Sequence, residues 1–326
     1  NTSIELYPNW IAEMKSAGIT SFYKVDQGNK FFYNQKTQAH EAIKEAQDFI
    51  ILDNYRKSSV VWSNKGSTIF NLGDGVLGIE FHTKMNTMGS EVIQGINKAI
   101  DLAEKEYDAL VVGNDGQNFS AGANLGMIFM MAIDQEYDEL DFAIRSFQNT
   151  MMRVRYSSIP VVVAPFNMAL GGGCEITLHA DAVQASAETY IGLVEVGAGV
   201  IPGGGGTKAF ALRVSDSFYA RDPELPLLYE RFMTIGMAKV STSAMEAFDL
   251  GILKKGRDRI SINRSRLLAD AKQLAIQLAS AGYTQPKQRT AIKVLGKSAI
   301  GGLIAGTYAM QQAHYISEND LKIAQK

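Results

Sequence analysis

Between residues 76 and 206, short apolar runs alternate with helical faces, and this alternation restricts the fold more than any other feature of the chain. Val76-Leu77-Gly78-Ile79-Glu80-Phe81 reads as a strand. Met88, Val92, Ile96 and Ile100 follow at intervals of four, which places them along one stripe of a helix. Ala109-Leu110-Val111-Val112 is a second apolar run, bounded by charge and by Gly113-Asn114-Asp115, as a buried strand would be. Leu140, Ile144, Phe147 and Met151 return to helical spacing. Pro160-Val161-Val162-Val163-Ala164 is strand-like again, its β-branched valines stiff at χ1 and suited to a pleated surface. Strand, helix and strand in repetition specify an α/β fold with parallel pairing.

Beyond about residue 208 the pattern becomes mostly helical. Leu225 to Met237 and Ser241 to Leu250 are candidate helices, and Leu267, Ala271, Leu274 and Leu278 mark a longer one. Gly282, with Pro286 just beyond it, stops that helix. Gly301 to Gln312 is a further helix. Before residue 66 the chain reads as a small separate piece packed on the rest. It has a helix around Trp10 to Gly18, then Ser21 to Lys24 and Lys30 to Tyr33 alternating like a hairpin with Gly28-Asn29 near its turn. The expected division is therefore a flanking segment over 1–65, an α/β core over 66–260 and a helical C-terminal region over 261–326. The first residue is Asn1, and the last six residues stop within a helical pattern, so the chain is expected to be a piece of a longer polypeptide.

Composition narrows the function classes. A chain of 326 residues can bury a large core, and 46% hydrophobic with 20% charged residues is ordinary for a globular protein. The formal net charge of −2 gives no reason to expect nucleic acid as a partner. No apolar run reaches the roughly 18 residues of a membrane span, and the N-terminus lacks a basic-then-apolar signal. One cysteine excludes an internal disulfide framework, so the cytoplasm is the expected compartment.

Three glycine-rich segments carry the chemistry. Phe119-Ser120-Ala121-Gly122-Ala123-Asn124 follows a predicted strand and turn. Ala169-Leu170-Gly171-Gly172-Gly173-Cys174-Glu175 follows a strand and opens a helix, whose N-terminus is a positive dipole end. Gly192-Leu193-Val194-Glu195 leads to Pro202-Gly203-Gly204-Gly205-Gly206-Thr207. Small residues allow a ligand to approach the backbone, and fixed N–H donors stabilise a developing oxyanion. Glu175 and Glu195 stand twenty positions apart. Two carboxyl groups flanking one water can deprotonate it and deliver a proton to a neighbouring carbon. Taken singly, Glu175 is equally a first-turn glutamate at a helix N-terminus and Glu195 a loop charge. The joint spacing is what favours the chemical reading.

Together these segments resemble the active site of the enoyl-CoA hydratase/isomerase (crotonase) family, over roughly residues 66–260. The resemblance implies a spiral of β-β-α units. It also implies oxyanion donors at the N–H groups of Ala123 and Gly172, Glu175 activating water and Glu195 protonating the α carbon. Ala121, Gly122 and Gly171 would border the substrate. Phe81-His82-Thr83-Lys84 matches the family's connection along the CoA site, so Lys84 is the expected contact to a CoA phosphate. The glycine loop from Pro202 is expected to be scaffold. The implied activity is hydration of trans-2-enoyl-CoA to 3-hydroxyacyl-CoA in β-oxidation, with an acyl-CoA thioester as substrate, no metal and no redox cofactor. The flanks look like parts of multifunctional fatty-acid oxidation proteins, in which a 3-hydroxyacyl-CoA dehydrogenase precedes the hydratase; residues 1–65 would be the remnant of it. Homo-oligomers are common in the family, and other domains of the same polypeptide are the alternative contact. Two other readings use the same residues: an enoyl-CoA isomerase, and an acyl-CoA-binding scaffold without turnover. Val194 stands where proline is common and Asn124 where aspartate is common.

Other motifs fail their context. Gly73-Asp74-Gly75-Val76-Leu77-Gly78 matches G-x-G-x-x-G but leads into a strand and not a helix, so it is no dinucleotide fingerprint. Gly296-Lys297-Ser298 lacks the earlier P-loop glycine, because position 291 is alanine. The four histidines have no metal-ligand spacing, and His179 reads as a packed core residue. Cys174 reads as packing, not as a nucleophile.

Overall fold

The computed structural model describes residues 8–26, 28–43, 49–219 and 221–326. Its centre is a seven-stranded sheet. In chain order its members are β4 (Val60–Ser63), β5 (Ser67–Asn71), β6 (Val76–Phe81), β7 (Ala109–Val112), β8 (Val161–Val163), β10 (Ala182–Ser186) and β12 (Arg259–Ser261). The spatial order is β12-β10-β8-β7-β6-β5-β4. From β12 to β6 every pairing is parallel, and β5 and β4 are added antiparallel. Every residue of β6, β7, β8 and β10 is buried. Successive strand residues point to opposite faces, so both faces of this part of the sheet are covered, as parallel sheets require. That is why β7 and β8 read as unbroken apolar runs, whereas β6 and β10 also bury Glu80, Gln184 and Ser186.

The cover comes from helices. α3 (Ser90–Glu106) packs on β5, β6 and β7, burying Val92, Ile96 and Ile100 as the four-residue spacing predicts. α10 (Leu267–Ser280) packs on β6, β7, β8 and β10, burying Leu267, Ala271 and Leu274. Gly282 has φ +82°, the left-handed stop expected after α10. α5 (Tyr137–Arg155) lies on α3 and α6 (Gly172–His179), with Met151 buried and Ile144 exposed. α4 (Leu125–Ile133), not foreseen from periodicity, is apolar on all sides and has no buried residue.

The flanks join this core. α1 (Asn9–Ser16) precedes a three-stranded antiparallel sheet of β1 (Tyr23–Asp26), β2 (Asn29–Asn34) and β3 (Ala39–Ala42), which contains the expected hairpin with Gly28 at φ +80°. The short α2 (Leu52–Tyr55) and Ile50 belong to the main apolar core, which runs on to Ala275 and so crosses both expected boundaries, 65/66 and 260/261. β4, on the N-terminal side of the first boundary, is hydrogen-bonded to β5 on the other. Lys272 on α10 reaches back to Leu72 O and Asp74 Oδ2, each at 2.7 Å. Around the C-terminal half stand α7 (Gly206–Asp216), α8 (Glu224–Gly236), α9 (Ala244–Asp249), α11 (Lys297–Gln312) and α12 (Glu318–Gln325). Among the described residues no helix is long and apolar enough to cross a membrane.

Candidate active site

A second, two-stranded sheet assembles the site. β9 (Asn167–Leu170) pairs in parallel with β11 (Thr189–Gly192), and Leu170 stands opposite Gly192. On the other side of β9, Ser120 makes a parallel bridge to Ala169. The three glycine-rich segments therefore leave neighbouring strand ends side by side. After β9 the chain turns at Gly171 into α6, whose first turn carries Glu175. After β11 it turns into a 3-10 helix that begins at Glu195. Between the glutamates the chain completes α6, runs through β10 of the large sheet and returns along β11 beside β9, which brings Glu195 back to the turn before α6.

The segments around Gly122 and Gly171 both require glycine. Gly122 has φ +89°, and a Cβ there would stand 2.8 Å from Leu170 O and 3.2 Å from Gly172 N. Gly171 has φ +51°, and a Cβ there would stand 3.1 Å from Glu195 Oε1. These distances place Gly122 against Gly171 and Gly172, and Glu195 over Gly171. The N–H of Gly172, at the first position of α6, has no intrahelical acceptor, and neither it nor the N–H of Ala123 donates to any described group. Phe147 Cζ and Met88 Sδ lie 3.0 and 3.4 Å from where a Cβ of Gly172 would be, so they form a wall beside it.

Glu175 is buried, and its Oε1 accepts the N–H groups of Gly204 and Gly206 at 2.8 and 2.9 Å. Burial pushes its carboxyl up, and these two hydrogen bonds oppose the shift. Glu195 is pushed up to about 7, first by burial and then by the charge of Glu175. Its Oε2 is buried without a partner among the described residues. His179, four residues after Glu175, has Nδ1 2.7 Å from Glu175 O. Burial pushes His179 down to about 3, so it is neutral and structural at ordinary pH. Cys174 is buried and its thiol is pushed up by burial and by both glutamates, consistent with packing.

The sequence singled out the residues of this cluster with one role left unread. The glycine loop, expected to be scaffold, directly holds the Glu175 carboxylate. The run of four glycines was its only signal. Ala121 donates to Met85 O at 3.1 Å, and Ser120 Oγ donates to Asn86 O at 2.7 Å. The turn containing Lys84 is thus fastened to the segment around Gly122. The Lys84 side chain itself is exposed. Asn124 is the N-cap of α4 and accepts from Met127 N at 3.3 Å.

Two differently held carboxyls beside backbone N–H groups that have no described acceptor form a candidate site for acid–base chemistry. Residues 71–221 match the family described as enoyl-CoA hydratase/isomerase, and the fold is the crotonase-like α/β fold of solved enoyl-CoA hydratases. The chain is 44% identical over 320 residues to a "Probable 3-hydroxyacyl-CoA dehydrogenase" of Bacillus subtilis, covering 98% of this chain and 40% of that protein. It is 32% identical to a "Putative fatty acid oxidation complex trifunctional enzyme" of Rickettsia felis, over 49% of this chain and 22% of that one. The chain thus spans well under half the length of these relatives. Among solved structures, enoyl-CoA hydratase from Bacillus anthracis superposes with a TM-score of 0.54 at 21% identity, covering 79% of this chain and 88% of that one.

Proposed function

We propose that this chain hydrates trans-2-enoyl-CoA thioesters to 3-hydroxyacyl-CoA, as a step of fatty-acid oxidation. The observation that carries the reading is the different way the two carboxyls are held, Glu175 by two backbone N–H groups and Glu195 with its Oε2 buried and unpartnered among the described residues. Glu175 is fixed by two backbone N–H donors that favour its ionised form. Glu195, about 7, keeps a proton to give near neutrality.

In this mechanism the thioester oxygen accepts the N–H groups of Ala123 and Gly172. Glu175 takes a proton from a water held between the carboxyls as the water oxygen bonds to the β carbon. The electron pair of the double bond moves toward the thioester oxygen, where the two donors and the N-terminus of α6 stabilise the charge. Glu195 then gives its proton to the α carbon. Ala121, Gly122 and Gly171 border the thioester, and Lys84 reaches a CoA phosphate. The chemistry calls for no metal or redox cofactor. The names of the longer relatives support a setting in which this chain works beside other domains of a longer polypeptide, with the flanking segment 1–65 adjoining a dehydrogenase; the cytoplasm is the proposed compartment.

The test follows the absorbance of the conjugated thioester of crotonyl-CoA. The unaltered protein should bleach it, and Glu175→Gln and Glu195→Gln should each lose about 10²-fold or more in kcat. Binding of the thioester with no bleaching would replace this reading by that of an acyl-CoA-binding scaffold. Conversion of a 3-enoyl-CoA to the 2-enoyl isomer without hydration would replace it by an isomerase.

A further inference from the structure

The C-terminal turn of α7, helix α8 and residues 251–255 enclose a cavity of about 330 Å³. It lies away from the glutamate pair. Asp216 on its wall is ten positions beyond Gly206 on α7, about 15 Å along the helix at 1.5 Å per residue.

Its charges do not balance. Arg213, Arg231, Lys254 and Lys255 line it against one carboxylate, Asp216. Asp216 is already in an ion pair with Arg289. Arg231 is taken up by Glu230 Oε1 and Asp249 O, both at 3.0 Å. Arg213 spends its Nη groups on the carbonyls of Leu178, Gly251 and Ile252, while its buried Nε has no acceptor. Among the described residues the Lys254 and Lys255 ammonium groups have no acceptor either. Burial, then Arg213, Arg257 and Arg155, push Lys254 down to about 8, and the charge of Asp216 only partly opposes them.

We propose that this cavity binds a phosphate group, carried as inorganic phosphate, diphosphate or a small phosphate ester. Cations from α7, from α8 and from the loop after α9 line one space, which suits a multiply charged anion with several acceptor oxygens. The volume exceeds a single phosphate, and Leu227 and Leu253 give the remainder an apolar wall. Arg213 also holds Leu178 O at the end of α6, so an occupant would sit against the helix that carries Glu175.

The test needs no catalysis. Inorganic phosphate, diphosphate and adenosine 3′,5′-bisphosphate are titrated calorimetrically at constant ionic strength into the whole chain and into Lys254→Met. Lys254 has no hydrogen bond to lose through its ammonium, so this variant should keep the Tm of the parent. Acetylation of Lys254 by acetic anhydride is read by mass spectrometry with and without each probe. Saturable binding of at least one probe, weakened about tenfold by Lys254→Met, with Lys254 protected, is the expected result. Preference for diphosphate over the bisphosphate, or the reverse, identifies how the phosphate is carried. Equal binding by both proteins, unchanged acetylation, or no binding at millimolar probe would overturn the proposal.

Discussion

Gly204 donates its N–H to Glu175 Oε1 at 2.8 Å, and the same glycine packs so closely on the carboxylate that a Cβ would stand 2.5 Å from Oε2 and overlap the Phe147 ring. The loop therefore both holds the proposed base and depends on lacking a side chain. Gly204→Ala should displace the carboxylate from its water. A misplacement of about 1 Å at a reacting group costs about 10²-fold in rate. The expected outcome is that loss in kcat, with KM for crotonyl-CoA changed much less. Full activity in a correctly folded variant would refute the role of the loop.

Gly122 bears on the other half of the site. A Cβ there meets backbone, Leu170 O at 2.8 Å and Gly172 N at 3.2 Å, and the residue's φ of +89° is unfavourable for any L side chain. Backbone cannot swing aside as a long side chain can. Gly122→Ala should therefore separate the two oxyanion segments, destabilise the fold by roughly 1–3 kcal/mol and reduce kcat by about 10²-fold. Urea unfolding and steady-state kinetics would check both numbers.

Much of this was legible in the sequence, for identifiable reasons. β7 and β8 are covered on both faces, so they announce themselves as unbroken apolar runs, and β6 does so with only Glu80 interrupting it. Val92, Ile96 and Ile100 mark α3 because one side of that helix meets the sheet. Glu175 and Glu195 could be paired because both lie in glycine frames at one spacing. What the spacing lacked was the reason for it, the parallel register of Leu170 with Gly192, which only tertiary pairing supplies. α4 was missed because Leu125-Gly126-Met127-Ile128-Phe129-Met130 has no polar face to set a period. The boundary at 65/66 was drawn from a change in pattern, whereas β4 pairs across it.

Leu274 shows how far the C-terminal region belongs to the core. It is 3% exposed on α10, over the sheet. Leu274→Ala should cost about 2–5 kcal/mol through lost burial and the cavity left behind. Because α10 is remote from the glutamates in sequence and does not supply a site residue, kcat per folded molecule should stay unchanged. A stability loss under about 0.5 kcal/mol would mean that α10 merely rests on the sheet.

Glu195 links the site to pH. Its carboxyl ionises near 4.5 when solvated and at about 7 in the fold, chiefly through burial and secondly through Glu175. Between those values the folded state binds more protons than the unfolded one. The stability it contributes is therefore complete below about pH 4.5 and is lost as pH rises through about 7. Glu195→Gln removes this dependence. The variant should match the parent in Tm near pH 4.5 and exceed it at pH 9 by about 4–5 °C, because the shift represents roughly 3 kcal/mol and each kcal/mol moves Tm by about 1.5 °C in a chain of this size. Activity should move in the same window, because a proton donor is lost by ionisation. The parent's kcat/KM for crotonyl-CoA should fall tenfold per pH unit above about 7. Calorimetry at the two pH values and a pH–rate profile test the two halves separately. Equal Tm differences at both pH values would show that Glu195 is solvated in the fold, and a flat profile to pH 9 would assign the proton to another group.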